Sequence, residues 1–466
     1  MSGEDAKQAV EQAIGLQWPD WVLIVLYAAS TIGLGLYFSR RQKSMQDYFT
    51  GGGNMNPMLI GVSLFATLLS TISYLSVPGE AAGKGPVNQI SLLGLPVVFF
   101  VVGYLMLPIY MKFRVTSAYE LLEEKLGLGL RLLGATMFLV LRLVWMTLLV
   151  YLAAEAMTVM MGLDPKWIPA VAAVTGVVAV IYTSLGGLQA VVITDFLQTV
   201  LLFGGALLVV ATVTYDFGGF GWIPTGWHAN WDSQPLLPIE DGAVSFKLRV
   251  SGLGALLSST IWYIATLGGD QTTVQRFMAT TDTKAARRAL ATQLIVGSVV
   301  TVTLCAVGFS LLGYFEKNLD QLPESIQLKD NADKLFPRYI AYHLPVGVSG
   351  LVVAAMFAAA MSSIDSGGHS ITTALVIDFR DRLFLPVLTS SLAKVLTLAL
   401  LLKLGATAVE AQPTLTSGSP AHSTHATTLS SNLVAIFPQA IATGSVSSAI
   451  FVVHGGFIGK HLTGGT

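Results

Sequence analysis

Long apolar runs, broken by short polar punctuation, dominate the chain. A helix needs roughly 20 apolar residues to cross the hydrocarbon core of a bilayer. Runs of that length, or close to it, lie at 21–39, 57–78, 88–111, 133–161, 166–185, 190–214, 250–269, 289–315, 346–377 and 384–404, with a weaker one at 432–458. They are continuous rather than alternating, and longer than the ~10-residue strands of a membrane barrel. The pattern predicts an all-α polytopic membrane protein of about 10–11 transmembrane helices. Proline and glycine clusters and the charged pieces SRRQKS, MKFR and KAARR separate the runs.

Two runs are interrupted. The second, PMLIGVSLFATLLSTISYLSVPGEAAGKG, carries hydroxyls, Pro78 and Gly79; the seventh, SGLGALLSSTIWYIATLGGDQTTVQR, carries Thr266, Gly268 and Gly269. They head two successive sets of five spans, counted after the first helix. Broken helices in matching places of two halves mark a transporter's binding site near the membrane midplane. Glycine and serine are also common at ordinary helix interfaces, so the pattern alone leaves both readings open.

Composition agrees with the runs: the 466 residues are 53% hydrophobic and 11% charged, against about 25% charged in soluble chains. A net charge of −1 leaves no basic footprint for nucleic acid. Cys305, the lone cysteine, sits in an apolar run and reads as a small buried hydrophobe. The leading MSGEDAKQAVEQAIG has no basic region before an apolar core, so the first run is expected to stay as a span. Arg40, Arg41 and Lys43, then Lys112 and Arg114, then Arg276, Lys284, Arg287 and Arg288, then Arg380 and Arg382 fall in alternate loops. The positive-inside rule makes that side cytoplasmic. The expectation is a multi-pass cell-membrane protein with its N-terminus outside and the long loops 215–247 and 316–345 also outside. The GGG at 51–53 lacks the Lys-Ser/Thr of a nucleotide loop, and the seven histidines have no ligand spacing, so no enzyme is expected.

The stretch AAAMSSIDSGGHS (358–370) carries the chemistry. On a helix Ala359, Ser362, Ser363, Ser366 and Ser370 share a face, with Asp365 one turn beyond Ser362. Hydroxyl oxygens suit a hard cation. Backbone carbonyls of Ala66, Thr67, Leu68 and Leu69, freed just before the STISY interruption, would complete an oxygen-only site fitted to sodium. Serines also serve as glue between helices, at about 0.6 kcal/mol per hydrogen bond. These grounds leave the two readings level.

From about residue 45 to 383 the chain resembles the sodium/solute symporter family, which includes sodium/glucose, iodide, proline and monocarboxylate cotransporters. The resemblance is carried by DYFTGGGNM (47–55), SLFATLLSTISYLSVPG (63–79), TSAYELLEEKLG (116–127), YTSLGGLQAVVITDFLQTVLLFGG (182–205), GGDQTTVQRFMAT (268–280) and AAAMSSIDSGGHSITTALVIDFRDR (358–382). TSAYELLEEKLG and VVITDFLQTV lean toward the monocarboxylate, multivitamin and iodide branch. The resemblance implies an inverted five-helix-repeat (LeuT-like) bundle with an extra N-terminal helix and sodium-coupled uptake. It implies sodium, as a co-transported ion, on Ala66, Leu69, Ala359, Ser362 and Ser363. It also implies a second sodium at Asp195, Asp365 and Ser366. The family usually has a hydroxyl or small residue where this chain has Asp365. That extra carboxylate would strengthen the second site, bind a proton, or pair with a helix N-terminus or His369.

The solute is expected against both broken helices, lined by Ser70, Thr71, Ser73, Tyr74, Tyr263, Thr266 and Asp270. Sugar-carrying relatives have an acid-amide pair where this chain has Ile72 and Ser73, and a lysine where ATQLIVGSVVTVTL has none. A hexose is therefore not expected. Arg142, in FLVLRLVW, would hold a solute carboxylate bidentately, pair with a protein carboxylate, or snorkel. The reading is a symporter importing a small, monocarboxylate-like anion, with the lipid bilayer, sodium and that solute as partners. Two alternatives stand beside it: a non-transporting sensor or inactive relative, motivated by Thr266 and Leu267 where sugar carriers have bulky aromatics, and a proton-coupled carrier using Asp365. The transmembrane domain is placed at 1–404. The Ser/Thr/His-rich 405–466 departs from the family, through truncation, a shifted reading frame or a divergent last span.

Overall fold

Where the second apolar run meets STISY, the helix stops. In the computed structural model the described residues are 16–383, without 41–44, 162, 230, 241–242, 245–249, 323–327 and 330. The expected spans at 384–404 and 432–458 lie outside them. The runs become α1 (Trp18–Ser39), α2 (Pro57–Leu68), α3 (Thr71–Gly83), α4 (Val87–Phe113), α5 (Leu128–Met160), α6 (Pro165–Thr183) and α7 (Leu185–Asp216). The second set is α8 (Gly252–Gly269), α9 (Gln271–Met278), α10 (Thr283–Lys317), α11 (Leu335–His343) and α12 (Val348–Thr373), which runs on into a π-helical stretch, Ala374–Arg380. The β-structure among the described residues is a two-residue antiparallel ladder, Ile239–Glu240 against Ala243–Val244.

Each break has a local cause. Leu69 takes extended backbone (φ −82°, ψ 109°), and the Ser70 hydroxyl then caps α3 by accepting from Ser73 N–H at 3.2 Å. The two halves diverge by 71°. The second break falls at Asp270 (φ −76°, ψ 132°), just past the Gly268–Gly269 pair, and its carboxylate caps α9 by accepting from Thr272 N–H at 2.7 Å. In the first turn of α7 the chain kinks at Gly187 (φ 57°, ψ −160°), a conformation that a Cβ would bar. α10 begins at Thr283, ahead of its apolar run, because Asp282 accepts from Ala285 N–H at 2.8 Å and caps the KAARR turn as helix.

α12 lies at the centre, buried along nearly its whole length, and packs on the α6–α7 pair, α5, α1 and α2. α1 stands outside the repeat but is docked closely: a Cβ on its Gly35 would lie 2.8 Å from Tyr182 of α6. Its buried Asp20 accepts from the N–H groups of Gly347 (2.7 Å) and Gly350 (2.9 Å) and from Ser349 Oγ (3.1 Å), capping α12. Cys305 is buried, as its setting predicts.

Candidate functional site

The last carbonyls of a helix have no partner within it. In α2 the final regular bond runs from Leu69 N–H to the Phe65 carbonyl (2.9 Å), so the carbonyls from Ala66 onward close the helix at the break. Ala66 and Leu69 are buried there. α12 is held against this end by Thr67 Oγ1, 3.0 Å from Ser366 Oγ. Ala359, Ser362 and Ser363 are buried on α12. The Ser362 hydroxyl donates to Asp195 Oδ1 at 2.6 Å, whereas Ser363 Oγ is buried with no hydrogen-bond partner. A buried oxygen left in that condition costs about 1–3 kcal/mol, and a bound cation would remove the cost.

Behind the serine pair lies a connected polar network. Asp195, on α7, also accepts from Ser63 Oγ at 2.5 Å. Arg276 Nε donates to Ser63 Oγ at 2.9 Å, and Nη2 reaches both Asp195 Oδ2 (3.4 Å) and the Ser366 hydroxyl. Ser366 donates to Asp365 Oδ1 at 3.0 Å, and the Tyr182 hydroxyl donates to the other oxygen of Asp365. The extra carboxylate thus sits on hydroxyl donors, not on a helix N-terminus. Asp195, Asp365 and Ser366 fall in one network through Arg276, with Ser362 shared between the serine pair and Asp195.

Arg276 corrects the sequence reading. It counts there as a loop charge, yet it is 1% exposed. The reason is that α9 folds back into the protein after the Asp270 break, and all eight of its residues are buried. The visible signal was position: a half-helix that follows a break in a span is interior whatever its polarity. Tyr182 was missed too, since a tyrosine near the end of an apolar run reads as an interfacial aromatic. α9 is further fastened by two glutamines. Gln271 accepts from Ala118 N–H (2.6 Å) and donates to the Thr116 carbonyl (3.1 Å). Gln275 donates to the Phe49 carbonyl (2.7 Å) and Thr373 Oγ1 (2.9 Å), and accepts from Ser370 (3.3 Å).

The expected solute residues fall into two groups. Ser70 and Thr71 are buried at the start of α3, Ser73 is half-buried beside them, and Thr71 Oγ1 has no partner. Arg142, half-buried on α5, lies against α12: a Cβ on Gly367 would be 3.1 Å from its Nε. That Nε has no hydrogen-bond partner, and no described carboxylate is within ion-pair distance of the guanidinium. Tyr74, in contrast, is fully buried in the core against Phe336, with its hydroxyl donating to the Leu202 carbonyl at 3.0 Å. Thr266 and Asp270 hold the second break together, their carbonyls both accepting from Thr273 Oγ1 (2.6 and 2.8 Å), and Tyr263 is half-buried on α8.

The profile of the sodium:solute symporter family matches residues 48–407. This chain belongs to that family. The sodium/sialic acid symporter SiaT of Proteus mirabilis (strain HI4320) is 31% identical over 372 residues, 78% of this chain and 71% of the relative. The human sodium/iodide cotransporter is 27% identical over 365 residues, 78% of this chain and 55% of the relative. A solved substrate-bound, outward-open Na+-coupled sialic acid symporter superposes with a TM-score of 0.72 at 24% identity, over 95% of this chain and 97% of that one. Mhp1, a nucleobase-cation-symport-1 family transporter, reaches 0.55 at 11% identity over 89% and 95%. The symporter fold is therefore the inverted-repeat bundle that the motifs imply. Its relatives are sodium-coupled transporters, not enzymes, and the chain is an integral membrane protein that couples to sodium.

Proposed function

We propose that this symporter imports a small organic anion with sodium by alternating access. Sodium binds at the α2 break between the Ala66 and Leu69 carbonyls and Ala359, Ser362 and Ser363. A second cation is drawn to Asp195, Asp365 and Ser366. Arg142 takes the solute carboxylate, with Ser70, Thr71 and Ser73 as neighbouring polar contacts and Tyr263, Thr266 and Asp270 across the second break. The observation that carries this reading is the coincidence of three unpartnered buried atoms, Thr71 Oγ1, Arg142 Nε and Ser363 Oγ, with residues expected to bind solute or ion. An arginine inside a membrane protein normally has a partner; here Asp270 acts on it only at a distance, Nε has no hydrogen bond, and an acid would supply the direct contact. Relatives named for sialic acid and for monocarboxylates transport acids, in line with this choice.

With the basic loops cytoplasmic and the N-terminus outside, each sodium entering down the potential contributes about 2.3 kcal/mol per 100 mV, besides its concentration gradient. The α9 glutamine contacts then close the cytoplasmic side and must part for release. The test is uptake into proteoliposomes of a panel of labelled monocarboxylates and sugar acids, driven by sodium or potassium gradients. Sodium-driven uptake of at least one acid, lost in Arg142→Gln with the sodium-dependent thermal shift retained, is the expected result. Uptake of neutral solutes alone, or uptake unchanged in the variant, would sink the anion reading.

A further inference from the structure

One arginine outside the transport site also lacks a hydrogen-bond or ion-pair partner among the described residues, and its surroundings say what would supply one. The stem of Arg287, on α10, crosses α4 at Gly103, where a Cβ would be 3.5 Å from Arg287 Cγ. Its guanidinium lies over the ring of Tyr104, 4.5 Å from the centroid. Tyr104 is 50% exposed, stacked 5.9 Å from the exposed Phe100, on the apolar outer face of a membrane span. Arg287 Nε is nevertheless buried, with no hydrogen-bond partner. Arg131 and Arg276 hold carboxylates and Arg114 holds backbone carbonyls; Arg287 has none of these among the described residues.

Lys284 and Arg288 share this face of α10, at the i, i+3, i+4 spacing, and both are exposed. Neither makes an ion pair among the described residues. The adjacent acid, Asp282, is engaged as the helix cap, accepting from Ala285 N–H (2.8 Å) and Thr281 Oγ1 (3.4 Å). Three cations thus stand in the first two turns of a helix, where the backbone dipole favours anions and disfavours cations. An external anion at that place would be attracted by all three side chains, Asp282 already answering the helix dipole at the cap.

We propose that the cleft between α4 and α10 binds the phosphate headgroup of an anionic phospholipid, with Arg287 as its principal contact and Lys284 and Arg288 beside it. The position selects a lipid over a free anion. Tyr104 lies nine residues before the end of α4, about 13 Å along a helix, so the arginine stem and the ring beneath its guanidinium run along surface that acyl chains cover. Basic pockets between spans on the cytoplasmic side are a recurrent headgroup site. Phe100 and Tyr104 would flank the acyl chains.

The experiment uses the full chain purified in detergent and does not depend on sodium or solute. Its thermal unfolding is followed with added phosphatidylglycerol, phosphatidylcholine or inorganic phosphate. Phosphatidylglycerol is expected to raise the midpoint by several degrees, with phosphatidylcholine and phosphate without effect. Lys284→Gln/Arg287→Gln/Arg288→Gln should lose that rise and keep the midpoint measured in phosphatidylcholine. Native mass spectrometry of the wild type gives an independent reading, as retained phosphatidylglycerol that Tyr104→Leu diminishes. Equal response to the two lipids, a variant that responds like the wild type, or full stabilisation by phosphate alone would each overturn the proposal.

Discussion

Two buried arginines sit between pairs of carboxylates in this symporter, and they are built to opposite ends. Arg131, at the start of α5, is fully buried; its Nε donates to Asp378 at 2.7 Å, Nη1 to Glu123, and Nη2 to the Ile377 carbonyl at 3.3 Å. Ser117 fills the other oxygen of Asp378 (2.7 Å), and Arg382 also reaches Glu123 (3.1 Å). The guanidinium of Arg131 and both oxygens of Asp378 thus all find partners within the protein. Arg276 instead faces Asp195 and Asp365 alone, meets its carboxylate at 3.4 Å, and works largely through serine hydroxyls. Ser363 Oγ beside that network has no hydrogen-bond partner. The first arrangement is a clamp joining α5 to the end of α12. The second is the network that the proposed function assigns to an exchangeable ion.

Experiments can break this contrast, beginning with the largest effect. Arg131→Gln strands a buried Asp378 and should destabilise the fold by about 3–5 kcal/mol, seen as early aggregation on size exclusion that sodium does not correct. Arg276→Gln should lose stability in potassium but recover much of it in sodium; equal rescue of both variants would erase the distinction. Next, Ser362→Ala/Ser363→Ala should weaken sodium, read from the sodium-dependent shift in unfolding temperature, by about 100-fold, two lost oxygen contacts at roughly 1.4 kcal/mol each. An unchanged shift would move the ion elsewhere.

Smaller still, Arg142→Lys should raise the KM for an acid solute by about tenfold, since a point charge replaces a planar fork, with sodium binding untouched. The smallest effect lies outside the membrane, on α11. Burial, followed by the nearby Arg338 charge, lowers the His343 imidazole from 6.5 to about 4. The unfolded chain takes up that proton near 6.5 and the folded one only near 4, so His343 stabilises fully above 6.5 and its contribution fades as pH falls from 6.5 to 4. His343→Gln should flatten the unfolding midpoint over that window. A wild-type midpoint already flat there would show that the ring is not held neutral.

The spans and the first break were legible because lipid demands long uninterrupted apolar runs, so hydroxyls and Pro78 in the second run stand out. The hydroxyl face of 359–370 was legible for the same reason. α9 was not. QTTVQRFM is polar by composition, and its burial depends on the partners that accept Gln271, Gln275 and Arg276, which no periodicity reveals. The start of α10 was hidden likewise, because a single cap at Asp282 converts charged loop into helix. Tyr74 shows the limit of reasoning by neighbourhood: adjacent to the solute candidates in sequence, it turns the other way, into the core.

The Asp20 cap on α12 has a consequence for how the protein is made. Asp20 and Gly350 are 330 residues apart along the chain, so α1 enters the bilayer with that carboxylate held only by Gln17 N–H of its own first turn while most of the polypeptide is still to be synthesised. Only when Gly350 arrives can the first span lock onto the central one. Locking of α1 onto α12 is therefore a late assembly step, after its docking on α6 and α7, and a chain released early, or trimmed of its leading helix, would present the open amides of α12 to the quality-control machinery of the cell.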